Sequence, residues 1–325
     1  MFKFLVQKLT LSIIIIFGSI SFTSKISDGK LLTPSGILVA ISANQADLKQ
    51  GNGGQGVERL QALLKRNKFY QGSVTGYFDF NTEASVIALQ QESNLRADGI
   101  VNEATWKALL NGEALFTMPN RGAPGGRTGS VTRPSCPHVE KPLTALTPLG
   151  NIGATVSVHP TFWFYVPYQP KPSRPIEFEL LNEEGNLVYK TRFFPTEIPG
   201  IINVQLPKTL PPLEEDRKYQ WVFSFVCNPT NNSEYYTVNG WIDRVELSVE
   251  LKNELKEAAT PWEQLFFYAE NNLWYDTLTT LAKLRQTYPN DEVIAADWSD
   301  LLSTQNVSLD KLILEPIVPC CTSKQ

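Results

Sequence analysis

From Gly56 the apolar residues recur at helical spacing. Val57, Leu60, Leu63 and Leu64 share one face and predict a helix that ends near Lys68. The loop "YQGSVTGYFD" follows, and then a short phrase that the chain writes twice: Gly76, Asp79, Thr82 and, 23 residues on, Gly99, Asn102, Thr105. Asp79 and Asn102 are good helix N-caps, because their side-chain oxygens accept from backbone N–H groups two or three residues ahead. Thr82 and Thr105 are placed to bond back to the cap, and the two glycines supply tight turns where a Cβ would collide. Amphipathic stretches follow each cap, with Val86, Leu89 and Gln90 in the first and Trp106, Leu109 and Leu110 in the second. Residues 47–112 therefore read as a three-helix unit in which the echo is a packing device.

The pattern then changes twice. Residues 113–142, including "MPNRGAPGGRTGSVTRPSCP", lack an apolar period and are rich in Gly, Pro, Ser and Arg, so they read as a linker. Over 143–250 short alternating runs such as "TFWFYVPY", "IEFELLNEEGNLVYKTRF" and "KYQWVFSFVC" are separated by turn residues, which predicts an antiparallel, sandwich-like β domain. In the last run Tyr219, Trp221, Phe223, Phe225 and Cys227 share one face, read as core. Residues 251–305 return to helical spacing, with Pro261 as a first-turn residue after Thr260 and a stretch from Leu273 that looks like one piece of a tetratricopeptide repeat. Because one such hairpin leaves Trp262, Phe266, Trp274, Leu278, Leu281 and Trp298 uncovered, it is expected to dock on the β domain. Residues 306–325 form a tail. The fold class is thus multidomain: a small all-α module, then a β-sandwich-like domain with a C-terminal helical hairpin.

Composition sets limits. The 325 residues are 42% hydrophobic and 11% aromatic, enough for sizeable cores, and a net charge of −4 offers no basic face for nucleic acid. Lys3 and Lys8 precede the apolar run Leu9–Phe22, which reads as a secretory signal within residues 1–43, cleaved after Ser21, which fits the small-x-small rule, or after Ala43, which would leave Ile41 at −3, or else kept as an anchor. The rest of the chain is then exported. Four cysteines allow three pairings; Cys136 with Cys227 is favoured over the adjacent Cys320 and Cys321.

Residues 48–111 resemble the peptidoglycan-binding-like domain of secreted bacterial cell-wall proteins, through "VERLQALL", "VTGYFDFNTEASVIALQ" and "DGIVNEATWKAL". Asp79 stands where that family usually has Gly, and Leu89 where it often has Phe. The resemblance implies a helical bundle that tethers its partner domain to the wall, with peptidoglycan as ligand. Tyr70, Tyr77 and Arg96 beside the turns are the candidate contacts, the rings for sugar faces and the guanidinium for stem-peptide carboxylates. Residues 121–303 are similar to a domain-of-unknown-function family found mostly in cyanobacteria, through "RGAPGGR", "PTFWFYVPY", "YQWVFSFVC" and "LWYDTLTTLAKL". That likeness implies an envelope protein and brings no activity.

Catalysis is expected to be absent. Two histidines, His138 and His159, are too few for a zinc hydrolase, and no metal-ligand or cofactor motif occurs. Cys136 lies near His138 but in a Pro-rich stretch with nothing to preorganise it. Glu177, Glu179, Glu183 and Asp243 could supply a glycosidase pair, though solvated acids are the plainer reading. The alternative function is a hydrolase accessory or a glycan binder that uses Trp163 and Tyr165 on the second face of "TFWFYVPY" as a stacking platform. Otherwise the C-terminal region faces an unknown envelope partner.

Overall fold

In a computed structural model of the chain, the described residues are 47–111, 114–129, 139–168, 175–194, 199–227 and 235–319. The signal region, Cys136, His138, Cys320 and Cys321 lie outside them. Helix α1 (Gln55–Arg66) buries Val57, Leu60, Leu63 and Leu64, as its spacing requires. Helices α2 (Phe80–Glu92) and α3 (Glu103–Leu109) begin at the two predicted caps. Asp79 accepts from Thr82 N at 2.8 Å and from the Thr82 hydroxyl at 2.7 Å; Asn102 accepts from Thr105 N at 3.1 Å and its hydroxyl at 3.2 Å. Gly76 and Gly99 adopt φ of 70° and 71°, and a Cβ there would press at 2.9 Å on Glu58 and Glu83.

Replacing either cap by Ala is expected to cost about 1 kcal/mol in chemical denaturation. Only the Asp79 cap should also respond to acid. Hydrogen bonds from Thr82, backbone first and then side chain, hold the Asp79 carboxyl below its ordinary range. Its share of stability is therefore present above the ordinary carboxylate range and lost as pH falls through that lowered value. Asn102 has no such dependence.

Eight strands follow among the described residues. A three-stranded sheet has the order β1 (Thr144–Ala145), β3 (Thr161–Val166), β6 (Gly200–Gln205). A five-stranded sheet has the order β2 (Ile152–Thr155), β8 (Tyr235–Arg244), β7 (Arg217–Val226), β4 (Ile176–Leu181), β5 (Leu187–Phe193). All pairs are antiparallel except β2 with β8. The sheets meet through aromatic rings: Phe164 stacks on Phe223 at 3.9 Å, and Phe162 meets Phe178 at 5.0 Å. The predicted β7 face is buried throughout, Cys227 included.

The C-terminal region holds four helices where a hairpin was expected: α4 (Val249–Glu257), α5 (Pro261–Glu270), α6 (Trp274–Thr287) and α7 (Glu292–Ser303). Thr260 and Glu263 close a capping box around Pro261. Helix α6 docks on the β domain through indole donors. Trp274 Nε1 donates to Leu146 O at 3.0 Å, Trp221 Nε1 to the Tyr275 hydroxyl at 2.8 Å, and Trp163 Nε1 to the Thr279 hydroxyl at 3.0 Å.

The first module is joined to these helices as well. Arg59 of α1 forms a buried two-pronged ion pair with Asp297 of α7 at 2.7 and 2.9 Å. Lys65 reaches Glu263 at 2.6 Å, Arg66 pairs with Glu270, and Trp262 Nε1 donates to Gln55 Oε1 at 2.9 Å.

The stretch read as a linker is, over its described part, packed. Phe116 and Met118 are buried, Asn306 Nδ2 donates to Met118 O at 2.9 Å, and Arg121 meets Asp243 at 2.9 Å. Asn239 N donates to Gly126 O at 3.0 Å, which lays this segment along β8. Gly125, at φ 134°, sits where a Cβ would run into the Asn151 and Asn239 side chains. Gly125 thus serves close approach, a use that composition does not separate from flexibility.

Candidate functional site

Two glutamines organise the turns of the helical module. Gln61 on α1 donates to Tyr77 O and to the Thr82 hydroxyl, each at 2.9 Å, and accepts from Thr75 N at 2.8 Å and Gly76 N at 3.0 Å. Gln90 on α2 repeats the arrangement on the second turn. It donates to Ile100 O at 2.9 Å and to the Thr105 hydroxyl at 3.1 Å, and accepts from Gly99 N at 3.0 Å. Each buried amide thus ties together several backbone and hydroxyl groups of one turn. A Leu-Gln pair stands in the helix before each turn, Leu60-Gln61 and Leu89-Gln90, outside the 23-residue register of the repeat, and that pairing was the available signal for these residues.

The first turn presents two aromatic rings. Tyr77 is 56% exposed and Phe80, at the first position of α2, is 76% exposed, one on each side of the Asp79 cap. Phe80 was missed in the sequence because an aromatic at a helix start reads as core. Tyr70 is the reverse case. It is 5% exposed, its ring lies against Gly72, and its hydroxyl donates to Ser73 O at 3.0 Å. Burial, and then Asp79, push its phenol above the usual range. A ring closed in this way cannot stack on a sugar, so Tyr70 supports the turn from beneath. Arg96 belongs to the second turn, at the place that matches Ser73 of the first. Its side chain is 89% exposed and is loosely paired with Asp98 at 3.5 Å. The predicted trio is therefore split: one ring beneath the first turn, one on its surface, and the guanidinium on the second turn.

The platform reading of β3 does not hold. Trp163 is 2% and Tyr165 5% exposed, covered by α6 and by the segment that carries Glu315. Burial, with Glu315 and Glu140 nearby, pushes the Tyr165 phenol up to about 12.

The acids weighed for glycosidase chemistry are engaged. Glu177 meets Arg192 at 3.3 Å, Glu179 meets Lys190 at 2.6 Å, Glu183 accepts from Lys218 N at 2.9 Å, and Asp243 meets Arg121 at 2.9 Å. His159 Nε2 lies 2.9 Å from Leu210 O. Among the described residues no group of three or more His, Cys, Asp or Glu could hold a metal ion. A shallow crevice of about 290 Å³ opens between the β4–β5 turn and the "LPPLE" loop, lined by Glu184, Pro211, Arg217 and Tyr219 among others.

The described residues thus form a three-helix unit fixed to a β domain with C-terminal helices. Residues 53–109 match the family model for a peptidoglycan binding domain. Residues 124–317, well over half of the chain, match the Domain of Unknown Function family DUF928, and the chain belongs to that family. A relative from Kitasatospora aureofaciens, named "Uncharacterized protein in bpoA1 3'region", is 34% identical over 88 residues, which are 27% of this chain and 75% of that protein. Among solved structures, the SleB N-terminal domain is 31% identical over 21% of this chain and 92% of its own, at a TM-score of 0.20. A glycosyl hydrolase family 2 member from Bacteroides cellulosilyticus DSM 14838 is 10% identical over 52% of this chain and 29% of its own, at a TM-score of 0.22.

Proposed function

We propose that the chain is a non-catalytic, exported, wall-associated protein that binds peptidoglycan through the first turn of its helical module. The observation that carries this is the pair Tyr77 and Phe80: two exposed rings held on a turn fixed by Gln61 and the Asp79 cap. Rings that keep one face in water while their backbone is immobilised suit stacking on glycan, and they lose little freedom on binding. Arg96 on the second turn contributes a cation for stem-peptide carboxylates. An oxidising compartment also suits the expected Cys136–Cys227 bridge, which would tie the segment before the β domain to the end of β7. The β domain and its helices present their remaining surface to an envelope partner.

Sedimentation of the full chain with purified sacculi tests this. Wild-type protein is expected in the pellet at low salt, and replacing Tyr77 and Phe80 together by Ala should weaken binding about tenfold or more, as loss of a central aromatic anchor does. Arg96→Ala should weaken it less and reduce its salt dependence. Wild-type protein that remains in the supernatant would remove the murein reading.

A further inference from the structure

The crevice of about 290 Å³ in the β domain stands between two fixed walls. One is the β4–β5 turn. Asn182 Oδ1 accepts from Asn186 N at 2.7 Å, Gly185 N donates to Asn182 O at 3.0 Å, and Gly185 takes the φ of 82° that the reversal needs. The other wall is the loop through Leu210-Pro211-Pro212-Leu213, where each proline holds the residue before it extended. Leu213 N donates to Val158 O at 3.1 Å, and Leu210 O lies 2.9 Å from His159 Nε2. Walls fixed in this way need little ordering when a ligand enters.

The lining is divided in its chemistry. Glu183 and Glu184 belong to the turn, Arg217 and Lys218 to the start of β7, and the two prolines give an apolar flank. Much of this charge is unspent. Arg217 reaches Glu214 only at 3.7 Å, with both side chains more than half exposed. Glu183 accepts the Lys218 backbone N–H at 2.9 Å and leaves the ammonium out. Among the described residues the Lys218 ammonium and the Glu184 carboxylate have no partner.

Tyr219 adds the decisive group. It is 6% exposed, and its hydroxyl accepts from Glu214 N at 3.0 Å; both residues line the crevice. Among the described residues nothing accepts the hydroxyl's own proton. A buried phenol with that proton unspent at the wall of an opening calls for an acceptor. Arg217 and Lys218 beside it favour an anion in that place. The acids of the turn favour a cation. A crevice at the small end of ligand-site volumes holds both charges only when one small group carries them.

We propose that this crevice binds the zwitterionic head of a diamino acid in a peptidoglycan stem peptide, with its carboxylate on the Tyr219 hydroxyl beside Arg217 and Lys218, its ammonium toward Glu184 and Glu183, and its carbon chain along Pro211 and Pro212. The source of the peptide rests on the murein reading above, whereas the demand for a paired anion and cation rests on the crevice alone.

Calorimetric titration of the full-length chain with N-acetyl-L-alanyl-γ-D-glutamyl-meso-diaminopimelate tests this. Saturable binding is expected. Tyr219→Phe keeps the ring, removes the proton, and should weaken binding about tenfold or more, the usual effect of losing one hydrogen bond to a charged group. Glu184→Gln should weaken it by up to about fivefold, as an exposed pair does. The same peptide ending in alanine should bind about tenfold more weakly to the wild type and ignore Glu184→Gln. No saturable binding, or a Tyr219→Phe chain that binds as the wild type does, overturns the proposal. Free lysine binding as tightly as the peptide also overturns it. Should Tyr219→Phe fold poorly, ring NMR of the wild type decides: Tyr219 signals that move on titration support the site, and signals that stay overturn it. Because the probe carries no sugar, failure of the ring platform on sacculi and failure of this titration are separate results.

Discussion

Asp297→Ala is expected to cost the folded chain about 3–5 kcal/mol, the usual penalty for leaving one partner of a buried ion pair uncompensated. Among the described residues the Arg59 guanidinium makes its two side-chain hydrogen bonds to Asp297. It is 7% exposed, its donors are aimed at Asp297, and its other neighbour is the Trp106 ring. Urea unfolding at neutral pH measures the cost. The loss should take one of two forms: a lower overall midpoint, or an early transition in which the helical module leaves before the β domain melts. Replacing both partners together, Arg59→Met with Asp297→Leu, should recover most of the stability, because an apolar pair of similar volume carries no desolvation penalty. A cost under about 1 kcal/mol for Asp297→Ala would mean that the pair behaves like a surface contact.

The second large effect is expected at Trp221. This residue is 1% exposed, packs edge-on against Phe164 with centroids 5.6 Å apart, and donates its indole N–H to the Tyr275 hydroxyl at 2.8 Å. It therefore joins the two sheets and helix α6 at one point. Trp221→Ala should destabilise by about 3–5 kcal/mol through lost contacts and the cavity left behind. Trp221→Phe should cost about 1–2 kcal/mol, because the ring largely fills the site while the Tyr275 hydroxyl loses its donor. It keeps its own bond to Trp241 O at 3.1 Å. Thermal unfolding followed by near-UV circular dichroism separates the two variants. Equal losses would show that the hydrogen bond, and not the volume, dominates.

The elements that local chemistry dictates could be read from the sequence. The Asp79 and Asn102 caps, the α1 stripe and the alternating face of β7 each rest on spacing within a dozen residues, and each stands where the spacing put it. What escaped depends on partners far along the chain. Arg59 reads as one more charge on the wet side of α1, because nothing near it in sequence announces Asp297. Gln90 was grouped with Val86 and Leu89, but its role and that of Gln61 escaped, since a buried glutamine is legible only through the turn it satisfies. Tyr70 and Tyr77 flank the same loop with equal claim, and only burial separates the supporting ring from the presented one. The parallel pairing of β2 with β8, 80 or more residues apart, likewise leaves no local mark.

The separation of Arg59 from Asp297, 238 positions, also orders events in time. Chains that grow or cross a membrane from the N-terminus complete the three-helix module long before α7 exists, so α1 must wait with an unpaired guanidinium at its surface. Contacts this distant close late, after the loop entropy of the intervening β domain has been absorbed by its own folding. A chain cut short anywhere before α7 would therefore leave the docking face of α1, with Arg59 on it, uncovered.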